Sequence, residues 1–554
     1  MGNADYAKIL DDISEFIDGD ISVLDEDREK VSRDASLFYI KPEIVVYPKH
    51  KDDISKLLAY VSGEKDKKID LSIAMRAAGT CMTGGSLCKS IVVDATRYMN
   101  KVVSVDEISA RVEPGVYYRD FEKETLKKGW IMPSYPASRE LSAMGGIVSN
   151  NSGGEKTLVY GKTEKYVKSL DIIFANGEKD TIRPLNIYEL QVKMKEATES
   201  GRIHKEVYNL ITENIDEIET ARPSVSKNSS GYLLWNVLNK ETREFDMTKL
   251  IVGSQGTLAC VSEATITGVK PKSHSRMLVM FLPTTKKLGE IIPRMLLHNP
   301  ETFESYDDHT FKIALKFFKD IAKRMGGTAF NLAFQFIPEF WMLITGGVPK
   351  LILMAEFTGD SEEEVETKIK NAYEDLKSFN YPLKRAHSEK DSQKYWTFRR
   401  ESFNLLRSKL KGYRTAPTID DIIVHPKDLP EFLPRLDKIF AKYDKDLVYT
   451  IAGHMGDANF HIIPLIDIHK DGIIEVLHNL MDEVFGLVFE YKGSMSAEHN
   501  DGLLRTAYLP KMFSPEMIRI FEKTKNIFDP KGILNPMKKV GYDKSIAWKF
   551  VDKK

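Results

Sequence analysis

Arg76-Ala77-Ala78-Gly79-Thr80-Cys81-Met82-Thr83-Gly84-Gly85 is the stretch on which the fold turns. It follows LSIAMRA and precedes SIVVDAT, two apolar, β-branched runs that predict flanking strands. Small residues between two strands leave backbone N–H groups uncovered, and such groups can converge on phosphate oxygens as an anion nest. No Gly-Lys-Ser/Thr closes the stretch and no helix follows it, which excludes a P-loop and the glycine fingerprint that opens a helix. Alone, such a stretch is as often a plain surface turn.

Two further stretches weigh against the plain turn. Met144-Gly145-Gly146-Ile147-Val148-Ser149-Asn150-Asn151-Ser152-Gly153-Gly154 carries almost no side-chain bulk. Either backbone packs on backbone there, or a flat aromatic ligand lies against it, or it is a loose loop. Gly253-Ser254-Gln255-Gly256-Thr257-Leu258 sits between the apolar LIV and the strand-like ACVSEATI.

Around these stretches the chain of 554 residues is too long for one core, and its patterning suggests four parts. Residues 1–40 read as a helical lead-in, with Ile9, Ile13, Phe16 and Ile17 at helical spacing. Residues 41–270 alternate short strands with a helix from Lys51 to Ser62 and hold all three glycine stretches. Residues 271–505 restart with RMLVMFL and LILMAEFTG, each followed by an amphipathic stretch, as a second α+β domain. Residues 506–554, with a helix from Pro515 to Ile527 and then DPKGILNP, are expected to return to the first domain.

Lys plus Arg number 80 against 81 Asp plus Glu, interspersed, so nothing electrostatic points to nucleic acid. The three cysteines, Cys81, Cys88 and Cys260, form no CxxC pair and are too few for an iron–sulfur cluster. That count and an acidic N-terminus without an apolar core suggest a cytoplasmic protein, with peripheral membrane contact only through a partner. No run approaches the roughly 18 apolar residues of a membrane span.

In order, AMRAAGTCMTGGS, ASRELSAMGGIVSNNSGG with YGK after it, and LIVGSQGTLACVSEATI resemble the FAD-binding segments of the vanillyl-alcohol-oxidase-type flavoproteins, over residues 33 to 268. The resemblance implies an α+β fold: a two-subdomain FAD-binding domain plus an α+β cap with an antiparallel sheet. It carries FAD contacts onto Arg76, Ala77, Ala78, Gly79, Thr80, Thr83, Gly84, Gly85, Pro136, Ser138, Ser142, Met144, Gly145, Gly146, Ser149, Asn150, Gln255 and Gly256. Members that attach FAD through a histidine have it where Thr80 stands, which implies non-covalent FAD, with Cys81 the nearest thiol. Gln255 replaces the family's glutamate, keeping hydrogen-bonding capacity but losing a charge.

The densest chemistry lies in GHMGDANFH, residues 453–461, and AEHNDG, residues 497–502. His454 and His461 lie seven apart around glycines, a spacing suited to a bent strand pair, and with Glu498 they could hold a metal with open positions. The plain reading is two hydrogen-bonded histidines and a solvated glutamate. These segments resemble the GHxGDGNxH and GEHG motifs of D-lactate, D-2-hydroxyglutarate and glycolate dehydrogenases. That resemblance makes His454, His461 and Glu498 ligands of a divalent metal, commonly zinc, His499 the catalytic base, and Asn459 a substrate contact. It also brings Asn535 of DPKGILNP to the flavin. Ala458, Ala497 and Asn500 stand where the family has glycine.

Trp396-Thr397-Phe398-Arg399-Arg400-Glu401 resembles the family's Trp-x-x-Arg-Glu carboxylate clamp, with Arg399 matching by distance from Trp396 and Arg400 by adjacency to Glu401. Arg414 is a third candidate. The expected reaction is oxidation of a small D-2-hydroxy acid: a metal lowers the hydroxyl pKa, neutral His499 takes the proton, and flavin takes the hydride. D-lactate is the expected substrate, with D-2-hydroxyglutarate and glycolate as alternatives. Electrons would leave to a quinone, cytochrome, electron-transfer flavoprotein or iron–sulfur partner, and a homodimer is compatible with the sequence. A transferase like alkyl-glycerone-phosphate synthase, an inactive flavin binder and an oxygen-using oxidase are the rival readings.

Overall fold

The computed structural model describes residues 5–316, 347–388, 391–397, 399 and 412–553. The glycine stretch at 76–85 leaves the end of β3 in a four-stranded sheet of β1 (Asp20–Ser22), β2 (Ile44–Tyr47), β3 (Ile73–Arg76) and β4 (Ile91–Asp94), in the order β1-β2-β4-β3. β4 runs parallel to both β2 and β3. β2 and β3 thus run the same way on either side of β4, and the helix Lys51–Asp66 is the crossover between them, burying Ile54, Leu57, Leu58 and Val61 on one face. The continuous apolar runs of β2 and β4 follow from this, since the sheet is covered on both sides.

A five-stranded antiparallel sheet comes next: β5 (Val102–Val105), β6 (Ser109–Val112), β7 (Val167–Ile173), β8 (Lys179–Ile182) and β9 (Cys260–Thr267), in the order β5-β6-β9-β7-β8. The Asn176-Gly177 turn between β7 and β8 has Gly177 at φ +89°, the left-handed geometry that an Asn-Gly pair supplies.

Beyond residue 271 lies a seven-stranded antiparallel sheet. Its strands are β10 (His274–Leu282), β11 (Thr302–Asp307), β12 (Leu351–Gly359), β13 (Leu383–Arg385), β15 (Ile422–Ile423), β17 (Ile451–His454) and β18 (Asn459–Ile462), in the order β13-β10-β12-β11-β17-β18-β15. Strands β14 (Tyr413–Thr415), β16 (Leu447–Val448) and β19 (Leu465–Asp467) form a small sheet of their own. Alternation along β10 explains its unbroken apolar sequence. Leu278, Met280 and Leu282 meet the helices Leu288–Leu296 and Glu362–Leu376, while Met277, Val279 and Phe281 face Phe311, Tyr395 and Trp396. Trp396 of the expected clamp is therefore a core residue.

The C-terminal helix Pro515–Phe528 is capped by Ser514, whose hydroxyl accepts from Met517 N at 3.0 Å. After it, Ile533 O accepts from Ile73 N and Asn535 N donates to Ile73 O, both at 2.7 Å, so the last segment lies beside β3. The pair Lys539–Asp501, 2.9 Å apart and wholly buried, fastens that segment to the loop carrying His499. Lys539 also donates to Ser229 O and Gly231 O.

Removing one partner of a buried pair strands the other charge, which costs about 3–5 kcal/mol. Asp501→Ala is expected to lose that much in denaturant unfolding followed by tryptophan fluorescence; a loss under about 1 kcal/mol would contradict the pairing.

Candidate active site

The three glycine stretches meet around a cavity open to solvent. Its wall contains Arg76, Ala77, Ala78, Gly79, Thr80, Gly85, Gly145, Gly146, Ser149, Asn150, Gln255 and Gly256. The second stretch is not a loop: Met144–Asn150 is a short helix. Gly145 lets that helix rest on Pro114, where a Cβ would come within 2.6 Å. Gly146 turns the other way, with only the Ala77 methyl within 4 Å of a Cβ placed there, so its bare backbone faces the cavity.

Other expected contacts stand behind this wall. The Ser142 hydroxyl meets those of Thr80 at 3.1 Å and Ser138 at 2.8 Å. The Pro136 carbonyl accepts from Arg139 N, and Met144 N donates to Val116 O. Thr83 O accepts from Leu503 N at 2.8 Å, and Gly84 packs against Phe38. The Asn535 amide donates to Gly85 O and Gln255 O, tying two stretches together, while its buried carbonyl oxygen has no partner. Backbone walls and this unmatched acceptor suit a flat, hydrogen-bonding ligand such as FAD. Sequence reasoning missed Pro114, Ala143, Ala259 and Val261 of the wall. The last two are alternate residues around the start of β9, and period-two facing could have found them. Cys81 also lines the cavity, where burial and then Asp34 push its thiol up, so it stays protonated and a poor nucleophile.

The histidines sit beside this cavity. β17 and β18 form a hairpin in which Ala452 pairs with His461 and His454 with Asn459. His454 and His461 are thus diagonal neighbours on one face, their ring centroids 5.0 Å apart. On the other edge of β17, Glu304 of β11 pairs with His454, and its carboxylate lies 2.6 Å from His454 Nδ1. The second oxygen of Glu304 pairs with Arg399, which brings that arginine to the site. Arg400 lies outside the described residues. Arg414 is spent elsewhere, on Asp552 at 3.1 Å.

The loop with Glu498 and His499 is held by Asp421, which accepts both their backbone N–H groups at 2.7 Å and the Ser496 hydroxyl at 2.8 Å. Asn459 is wholly buried and donates its amide to Asp421 and Ile422 O, leaving only its Oδ1 for other contacts. Glu498 reaches His454 Nε2 at 3.5 Å, while Lys227 Nζ lies 2.7 Å from its other oxygen and 3.0 Å from Asp457. His461, Glu498, His499 and Asp421 each offer a ligand atom within 4.8 Å of the others. Of the expected metal set, His461 and Glu498 belong to that cluster, and His454 borders it. Asp421 is already committed to backbone, so imidazole and one carboxylate make up the donor set, which suits zinc. His499 keeps 26 % of its side chain accessible against 7 % for His454, so it is the ring a substrate can reach.

Burial alone would lower His499, yet Asp420 and Asp421 push it up to about 9; burial is likewise outweighed at His454, which Glu304 and Glu498 push up to about 9. Glu498 is held well below the carboxylate range despite burial, by Lys227 and His454. The site therefore carries cationic rings when no metal is bound, and a dication would favour their neutral forms.

Three bonds join this loop to the flavin cavity. Asn500 donates to Asn150 O at 3.2 Å and Gly253 O at 2.9 Å, and Gly502 N donates to the Gln255 side chain at 2.8 Å. Asn500, in place of glycine, sits at φ +70°, a region asparagine tolerates. Ala458 sits at φ +53° and is wholly buried, so this departure places an alanine in left-handed backbone, whereas Ala497 does not.

Comparison with known proteins supplies the rest. Residues 42–182 match the FAD binding domain and residues 271–539 match the C-terminal domain of FAD linked oxidases. This chain joins an FAD binding domain to the C-terminal domain of FAD linked oxidases. The chain is 24% identical to D-2-hydroxyglutarate dehydrogenase of Escherichia coli (strain K12) over 536 residues, 94% of this chain and 50% of that protein. It spans about half the length of such relatives. It is also 24% identical to D-lactate dehydrogenase of Anaerostipes hadrus, over 97% of this chain and 99% of that one. Its fold, of the vanillyl-alcohol-oxidase type, is shared with alkyldihydroxyacetonephosphate synthase at TM-score 0.65 and 17% identity, covering 97% of this chain and 85% of that one. Among the described residues no helix is long and apolar enough to cross a membrane.

Gly146→Phe projects a ring into the cavity and is expected to yield folded protein, judged by far-UV circular dichroism, without flavin absorbance; retained flavin would show that the cavity is not its site. In Ala458→Gly, relief of about 1–2 kcal/mol of left-handed strain opposes the loss of a buried methyl, about 0.8 kcal/mol, and added chain entropy of about 0.4–1 kcal/mol. The melting temperature should therefore move by no more than a few degrees, and a larger drop would mean that the methyl packs better than its backbone suggests.

Proposed function

We propose that this protein converts a small D-2-hydroxy acid, D-lactate first among them, to the 2-oxo acid and passes the electrons to an external acceptor. The observation that carries the reading is the direct bonding of the His499 loop to the wall of the flavin cavity, through Asn500 and Gly502. A group that takes a hydroxyl proton and a cavity that holds a hydride acceptor must flank the same carbon, and these bonds support that arrangement.

When bound, FAD supplies the two-electron acceptor, and a divalent metal, zinc by its donor set, supplies a Lewis acid that lowers the hydroxyl pKa. His454, His461 and Glu498 would hold the metal. His499 takes the hydroxyl proton, being the most accessible ring of the site. Arg399 binds the substrate carboxylate through the donors that Glu304 does not occupy, with Arg400 as the other candidate. Asn459 offers Oδ1 to the substrate.

In this reading residues 41–270 form the flavin domain, 271–505 the substrate cap, and 506–554 a strap that closes onto the flavin domain, after a lead-in of residues 1–40. The three cysteines are buried and free, which supports an acceptor outside the chain: a quinone, cytochrome, electron-transfer flavoprotein or iron–sulfur partner. A cytoplasmic location and a homodimer belong to the same proposal. D-2-hydroxyglutarate and glycolate remain the alternative substrates. The transferase reading rests on a shared fold alone, and the histidine cluster gives it no support.

Adding D-lactate, L-lactate, glycolate and D-2-hydroxyglutarate anaerobically to the flavin-loaded protein tests the proposal. D-lactate is expected to bleach the flavin, chelation to abolish the bleaching, and His499→Ala to slow it by about 10²–10⁴-fold, the usual contribution of a general base. Bound flavin that none of the acids reduces would favour the transferase or an inactive binder.

A further inference from the structure

We propose that Asp420 is a positioning residue that fixes His461 and His499 together, so that the metal ligand and the proton acceptor are set by one carboxylate; the proposal rests on the functional reading above. Asp420 lies in the turn before β15, and its side chain is wholly buried. One carboxylate oxygen is 3.2 Å from His461 Nδ1 and the other 2.7 Å from His499 Nδ1. The two rings stack, with centroids 5.0 Å apart and planes 21° from parallel. Both rings therefore turn Nδ1 to the same acceptor and leave Nε2 for whatever occupies the site.

The chemistry makes the arrangement directional. A neutral imidazole has one N–H, and a carboxylate at Nδ1 holds the proton there and leaves the lone pair on Nε2. One oxygen faces each ring: His461 Nδ1 is hydrogen-bonded to one, and His499 Nδ1 lies at ion-pair distance from the other, off the line of a hydrogen bond, so turning either ring over would take its Nδ1 away from a buried charge. Asp420 is itself held in place: its backbone carbonyl accepts from the wholly buried Arg505, which also donates to Asn500 O at 3.0 Å. Asp421, next in sequence, grips the backbone of Glu498 and His499 instead. Successive aspartates thus divide the work, one holding the Glu498–His499 loop and the other facing the His461 and His499 rings.

Asp420→Asn keeps the volume but replaces one acceptor by a donor, which forces one imidazole to the opposite tautomer. With the flavin-loaded protein, Co²⁺ binding read from the metal's visible absorption is expected to weaken about 10–100-fold, as for other partners of metal ligands. Flavin content should be unchanged, and kcat for flavin reduction should fall without a matching rise in KM. Wild-type Co²⁺ affinity and spectrum in Asp420→Asn would overturn this role alone. A wild-type chain that takes up no Co²⁺ would overturn both this role and the functional reading. Should the variant not fold, ¹⁵N-histidine correlation spectra of the zinc-loaded wild type decide the matter: His461 and His499 protonated at Nδ1 support the role, and protonation at Nε2 overturns it.

Discussion

The carboxylate of Asp421 accepts the backbone N–H of Glu498 and of His499, and the rest of the site depends on those two bonds. A buried carboxylate needs several donors, and adjacent amides supply charge-assisted bonds with no side-chain entropy to lose. The grip comes from the cap side, from the turn that leads into β15. From the other side the same loop is held by Gln255, Asn150 and Gly253 of the flavin cavity, and by Lys539 of the C-terminal segment through Asp501. The two halves of the chain are thus registered to each other at the candidate site.

That junction is built from charge. Glu304, Asp420 and Glu498 are buried, and each is set against basic side chains: Arg399 and His454, His461 and His499, Lys227 and His454. Buried ions are costly unless matched, so such a network stabilises little by itself but fixes geometry strongly. It also explains why two histidines are pushed up to about 9 in a site otherwise suited to neutral imidazole ligands. Carboxylates that orient the rings also hold protons on them, and a bound cation would reverse the balance.

The sequence made the local parts legible. The glycine stretches, the parallel strands on either side of the first, the Asn-Gly turn, and the segments carrying His454, His461, Glu498 and His499 all show in runs of about ten residues, because backbone conformation and metal-capable side chains leave short-range signatures. By sequence Met144–Asn150 is open between backbone packing, a flat ligand and a loose loop; it is a short helix packed through Gly145 on Pro114, although glycine pairs disfavour helices. What the sequence hid is the second layer. Lys227, Glu304 and Asp420 lie far along the chain from Glu498, His454 and His499, and only the strand register of β11 on β17 and the turn before β15 bring them together. Lys227 in KNSSGY and the Asp420-Asp421 doublet were visible as charges, but nothing local marked them as buried. Arg414 shows the reverse: a plausible carboxylate clamp by sequence, it is occupied by Asp552.

The central claim is that one metal ion sits between the histidine loop and the flavin cavity, and anomalous scattering at the zinc edge from crystals of the flavin-loaded protein tests it most directly. The expected result is a single strong peak within coordinating distance of His461 and Glu498, on the side facing Gly146. A peak only at the Asp18, His50 and Asp53 cluster, or at Asp307, Asp308 and His309, or no peak at all, would contradict it.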